Sequence, residues 1–78
     1  MHLFVRHFAV LRERRGMAAE ELDVEPGTTV TQLYKRLFST SGMGALPVMY
    51  AVNQSYVDED YVLQSGDEVA FIPPLGGG

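Results

Sequence analysis

The chain has no cysteine, an absence that removes disulfides, thiolate metal sites and a cysteine nucleophile together. It also has no long apolar run. The longest, Ala45 to Val52, falls far short of the ~20 residues a membrane-spanning helix needs, and no apolar signal region follows the first charges. A cytoplasmic protein with no membrane association is therefore expected. Basic residues are missing beyond position 36: Arg6, Arg12, Arg14, Arg15, Lys35 and Arg36 are the whole set, while five acidic residues follow Leu37. With a formal net charge of −4 and no dense basic face, the balance argues against nucleic-acid binding, and an acidic face suits a basic partner surface.

Metal and phosphate motifs are equally scarce. His2 and His7 are an odd number of residues apart, so on a strand they point to opposite sides and cannot share an ion. Asp58-Glu59-Asp60 clusters three carboxylates without the spaced ligands of a calcium loop, and Gly42 and Gly44 follow a helix at the wrong spacing for a phosphate loop. No bound metal or cofactor is expected.

What is present is a globular composition: 78 residues, 46% hydrophobic and 21% charged, enough for one domain with one small core. His2 to Phe8 alternates as a strand, Leu3, Val5 and His7 on one face and Phe4, Arg6 and Phe8 on the other, with His7 packed at the edge of the core. Ala9 to Arg15 reads as a short helix with Val10 and Leu11 inward, its arginines as surface charge, and Gly16 as its cap. Ala19 to Glu25 alternates again through Leu22 and Val24, and Pro26-Gly27 turns the chain.

Thr29 and Gln32 have capping-box spacing, and Val30, Leu33, Leu37 and Phe38 form the apolar stripe of a helix of about ten residues lying on a sheet. The loop Ser39-Thr40-Ser41-Gly42-Met43-Gly44 ends it. Val48 to Val52 predicts a buried strand, Asn53-Gln54 a tight turn, Ser55 to Val57 a short return strand, and Asp67 to Ile72 a last strand apolar on both faces. The order predicts an α+β fold, a mixed sheet of about five strands with one main helix packed across it. The first and last strands belong at its centre, paired in parallel. Phe4, Phe8, Ala70 and Ile72 then fall on the face the helix leaves bare, and an apolar patch of that kind marks a protein interface.

The chain closes on Pro73-Pro74-Leu75-Gly76-Gly77-Gly78. Paired prolines end a strand and start an extended course, because they fix φ and cannot donate to a ladder. Three glycines without Cβ leave a thin backbone that a narrow channel admits, and the terminal carboxylate is sterically open. Leu75 to Gly78 spans roughly 13 to 14 Å at about 3.3 to 3.6 Å per residue. Taken alone, a glycine run is equally the pattern of a frayed end. The expected division is a domain over 1–72 and a tail over 73–78.

These blocks carry a resemblance. Phe8-Ala9-Val10-Leu11-Arg12-Glu13 with Gly16, Thr29-Val30 with Leu33, Ala51-Val52-Asn53-Gln54, and Gly66-Asp67-Glu68-Val69-Ala70-Phe71-Ile72-Pro73-Pro74 before Gly-Gly together resemble the small sulfur-carrying subunits of molybdopterin synthase, a ubiquitin-like β-grasp family. Gly76 departs from the small polar residue that often precedes the final pair. The resemblance implies that a ubiquitin-activating-like adenylyltransferase uses ATP to adenylate Gly78, and that a sulfur donor enzyme converts the adenylate to a thiocarboxylate. It implies further that the large synthase subunit takes in the tail, Pro73 to Gly77, with Phe8, Ala70 and Ile72 at the docking surface. The chain would be no enzyme on its own. The same terminus also suits sulfur delivery to the thiamine thiazole or a transfer RNA base, or the use of Gly78 as a ubiquitin-like modifier or of the apolar face for simple docking.

Overall fold

The computed structural model describes residues 1–39 and 47–74; most of the glycine-bearing linker and residues 75–78 lie outside the described residues. The elements run β1 (His2–His7), α1 (Ala9–Arg15), β2 (Ala19–Asp23), α2 (Val30–Phe38), β3 (Met49–Val52), β4 (Ser55–Val57) and β5 (Glu68–Ile72). One five-stranded sheet carries them in the order β2-β1-β5-β3-β4. The last strand is thus the central one, and its pairing with β1 is parallel while every other pairing is antiparallel.

The alternation of β1 places Leu3, Val5 and His7 in the core. Val69 and Phe71 of β5 and Val52 of β3 join them, and Val30, Leu33, Tyr34 and Phe38 of α2 close over this face. Phe71 is the hub of the aromatic packing, with ring centroids 5.1 Å from Tyr34, 6.3 Å from Phe38 and 6.0 Å from Tyr50. Tyr34 completes the helix stripe that Val30, Leu33 and Phe38 define, four residues after Val30 and four before Phe38, spacings that share one helix face.

Local chemistry fixes the ends of the elements. The Thr29 hydroxyl accepts from the Gln32 backbone N–H at 3.2 Å and the Gln32 side chain accepts from the Thr29 N–H at 2.9 Å, the reciprocal box that starts α2. Thr29→Ala removes one half of it, at about 1 kcal/mol. For a domain of this size the melting midpoint should then fall by about 4–8 °C in thermal unfolding, and an unchanged midpoint would show that the 58–63 segment alone holds the helix start. That segment is docked there: Val30 N–H donates to the Tyr61 carbonyl at 3.0 Å and Leu63 N–H to the Thr28 carbonyl at 2.9 Å. Gly16 ends α1 with φ 73°, a left-handed conformation that favours glycine. Asn53 and Gln54 both have positive φ, as a tight hairpin turn requires. Asn53 then ties that turn to β5, its side chain accepting from Glu68 N–H and donating to the buried Asp67 carboxylate, each at 3.0 Å.

Three expectations are corrected. Val10 is exposed, because a two-turn helix presents one line of contact and the adjacent Leu11, about 100° around the axis, takes it. β3 is only partly buried, since Met49 and Ala51 look onto the uncovered face and only Val52 is fully in the core. Arg15 is a packed ion-pair member: it lies half-buried against Glu20.

Candidate functional site

The uncovered face of the sheet has its own order. Register places Ala19, Arg6, Ala70, Ala51 and Tyr56 in one row across all five strands. The two alanines floor a trough of about 250 Å³ over β5 and β3, with Arg6 and Tyr56 as its side walls. Phe8 and Ile72 close the end from which β5 leaves the sheet, and Gln54 and Glu68 line the other end. Phe8 is 43% exposed and Tyr56 67%, although both carry large apolar surface.

The three residues proposed for docking, Phe8, Ala70 and Ile72, therefore lie around one concavity. Pro73 is buried, Pro74 is exposed, and Leu75, Gly76, Gly77 and Gly78 lie outside the described residues. Arg6, Tyr56 and Ala51 were not singled out in the sequence for this site. The alternation of β1 does put Arg6 on the face of Phe8, but nothing local in β3 or β4 says which of their residues lie beside Ala70.

Phe8 is held from behind. Its carbonyl accepts from Leu11 and Arg12 N–H at 3.1 and 3.3 Å, starting α1. The residue before it, His7, is buried between Phe38 and Phe71 and lies with Nε2 2.6 Å from Glu20 Oε2. Because a carboxylate only accepts, Nε2 carries the hydrogen. Arg15 grips the same carboxylate twice, through Nε at 2.9 Å and Nη2 at 2.7 Å. This bidentate contact holds the Glu20 carboxyl below the usual carboxylate range; burial opposes the shift and His7 adds to it. The network binds the end of α1 to β1 and β2, and so braces the Phe8 wall.

Glu20→Gln should cost about 1.5–3 kcal/mol at neutral pH, the range for hydrogen bonds to charged groups. A carboxyl whose folded pKa is lowered stabilises the fold above its unfolded value of about 4.3 and loses that contribution as pH falls through the folded value. The gap in urea midpoint between wild type and Glu20→Gln should therefore be open at pH 7 and shrink by pH 3. A gap independent of pH would show that the loss comes from packing rather than charge.

The rest of the face is polarised. Glu21, Asp23 and Glu68 lie toward its other end, where His2 reaches Glu21 at 2.7 Å and Asp23 at 3.0 Å. Hydrogen bonds first to Glu21 and then to Asp23 raise the pKa of this exposed imidazole. Among the described residues there is no group of three or more His, Cys, Asp or Glu placed to hold a metal ion, and no helix long and apolar enough to cross a membrane.

A five-stranded mixed sheet with a parallel central pair, one main helix across one face and an apolar trough on the other defines a ubiquitin-like β-grasp protein. The family model described as the ThiS family matches residues 5–78, and the chain belongs to this family. It is 38% identical over 81 residues to the molybdopterin synthase sulfur carrier subunit of Homo sapiens, covering 95% of this chain and 91% of that one. The subunit of the same name from Escherichia coli K12 is 39% identical over 79 residues, covering 95% and 96%. Among solved structures, a putative molybdopterin converting factor subunit 1 from Pyrococcus furiosus superposes with a TM-score of 0.83 at 27% identity, covering 96% of this chain and 99% of that one.

Proposed function

We propose that the chain is the small sulfur-carrying subunit of a molybdopterin synthase, working in the cytoplasm as the sulfur donor of a complex whose catalytic residues lie in a large subunit. The relatives of that name, matched over nearly their whole length, support the reading. The observation that carries it is the path of β5. The central strand lines the trough with Ala70 and Ile72 and leads directly through Pro73 and Pro74 toward the glycine terminus, so a partner seated on the trough lies at the root of the tail.

The chemistry begins at the Gly78 carboxylate. A C-terminal carboxyl with an ordinary pKa of about 3.3–3.7 is an anion at neutral pH and a poor acyl electrophile. A ubiquitin-activating-like adenylyltransferase transfers AMP from ATP to it, releasing pyrophosphate, and the acyl adenylate then has a leaving group. A sulfur donor enzyme supplies the nucleophile that displaces AMP and leaves a thiocarboxylate. The large subunit admits the tail, Pro73 to Gly77, with Phe8, Ala70 and Ile72 docked on its surface. The sulfur of Gly78 passes to the pterin precursor, and water supplies the oxygen that returns the carrier as a carboxylate. The carrier itself needs no bound cofactor, because ATP is consumed by the activating enzyme.

Reconstitution tests the assignment. The chain, the activating enzyme, ATP, a sulfur donor and a large synthase subunit are combined with the pterin precursor and scored for molybdopterin. Product that depends on the chain is the expected result. No product, with a known carrier active in the same mixture, would overturn the assignment.

A further inference from the structure

Arg6 stands in an unusual place. It is exposed on the uncovered face, with alanine opposite it on both neighbouring strands, Ala19 on β2 and Ala70 on β5. Among the described residues its guanidinium has no ion pair and no hydrogen-bond partner. The acidic side chains of this face are Glu21 and Asp23, engaged by His2, and Glu68 at the far end of the trough; none is within ion-pair distance of the guanidinium. The trough, with Glu68 and Gln54 confined to its far end, thus carries one uncommitted cation on the wall beside its apolar floor. Across the floor, on the strand three places away and about 14 Å off in the backbone, Tyr56 forms the facing wall.

A hole of about 250 Å³ floored by two alanines suits one bulky apolar side chain, the kind of buried anchor that dominates protein interfaces. When a partner covers that hole, water leaves the Arg6 guanidinium, which must then be paired or pay for desolvation. Arginine presents a planar fork of donors matched to a carboxylate. We propose that Arg6 is a specificity-determining residue for the large subunit: an apolar side chain of that subunit fills the trough, and a carboxylate next to it pairs with Arg6. The inference rests on the synthase reading above and adds the chemistry of the partner's matching surface.

The test is calorimetric titration of the full chain with a large synthase subunit at low and at moderate salt. Arg6→Leu should weaken binding about tenfold at low salt and flatten its salt dependence, and Arg6→Glu should weaken it about a hundredfold or more, because like charges are then brought together. Lys35→Glu, on the outer side of α2, should change affinity less than twofold, and circular dichroism should show all three variants folded. A partner Asp or Glu reversed to Lys should restore binding to Arg6→Glu. Unchanged affinity and salt slope in Arg6→Leu would overturn the inference. So would self-association of Arg6→Leu with normal large-subunit affinity, which would make Arg6 only a guard against pairing of two such faces. A wild-type chain that forms no complex with the large subunit would remove the synthase reading and this inference together, whereas an Arg6-independent complex removes the inference alone.

Discussion

Deleting Gly78 is expected to abolish sulfur transfer and leave the domain folded. The proposed reacting carbon is the terminal carboxyl, and the deletion moves the terminus back onto Gly77, about 3.3–3.6 Å short of its place. Misplacement of a reacting atom by about 1 Å already costs on the order of a hundredfold in rate, so a shift of one residue should reduce turnover below detection in both the activation and the transfer steps. The fold should not depend on Gly78, since the buried side chains of the described residues lie between Leu3 and Pro73. Thermal unfolding should show the same midpoint as wild type, and molybdopterin formation should be lost. A variant that unfolds would contradict the separation of domain from tail, and one that still transfers sulfur would move the reactive group off the terminus.

Phe71→Ala is expected to have the opposite profile, a loss of fold before any loss of chemistry. The side chain is fully buried and contacts His7, Tyr34, Phe38 and Tyr50, and it lies on the central strand. Removing a core phenylalanine costs about 3–5 kcal/mol. A domain of this length holds roughly 4–12 kcal/mol in total, from about 0.05–0.15 kcal/mol per residue, so the variant loses between a quarter and all of its stability. In a thermal melt the midpoint should fall by more than about 12 °C, at about 4 °C or more per kcal/mol. A shift below about 5 °C would mean that neighbouring rings collapse into the space and that the aromatic cluster does not centre on Phe71. Because β5 also carries Ala70 and Ile72, partner binding by Phe71→Ala should fail at the temperature where its fold fails and hold below it.

The two predictions divide the chain as its sequence does. The core could be read from local pattern: period-two alternation in β1 and β5, the Thr29–Gln32 box, the glycine after α1 and the Asn53-Gln54 turn each rest on interactions within a few residues. The parallel central pair was also legible, because strands apolar on both faces belong inside a sheet rather than at its edge. What could not be read was register. That Arg6, Ala70 and Ala51 form one row depends on pairings between distant segments, and no periodicity within one strand encodes them; only Tyr56 opposite Ala51 follows from the Asn53-Gln54 turn. The Arg15–Glu20–His7 network escaped for the same reason: Arg15 looks like ordinary charge at the end of a short helix until β2 brings Glu20 alongside it. The tail was legible in composition alone, as two prolines and three glycines behind a strand. Its proposed role rests on family membership and on the trough from which β5 leads toward it.

The central claim is that Gly78 becomes the acyl carrier of sulfur, and intact-mass spectrometry tests it most directly. The full chain is incubated with its activating enzyme, ATP and a sulfur donor, and the product is fragmented to locate the change. The account predicts a species in which one oxygen is replaced by sulfur, confined to the C-terminal residue and absent without ATP. An unmodified mass with every donor tested, under conditions in which a known carrier is converted, would contradict it.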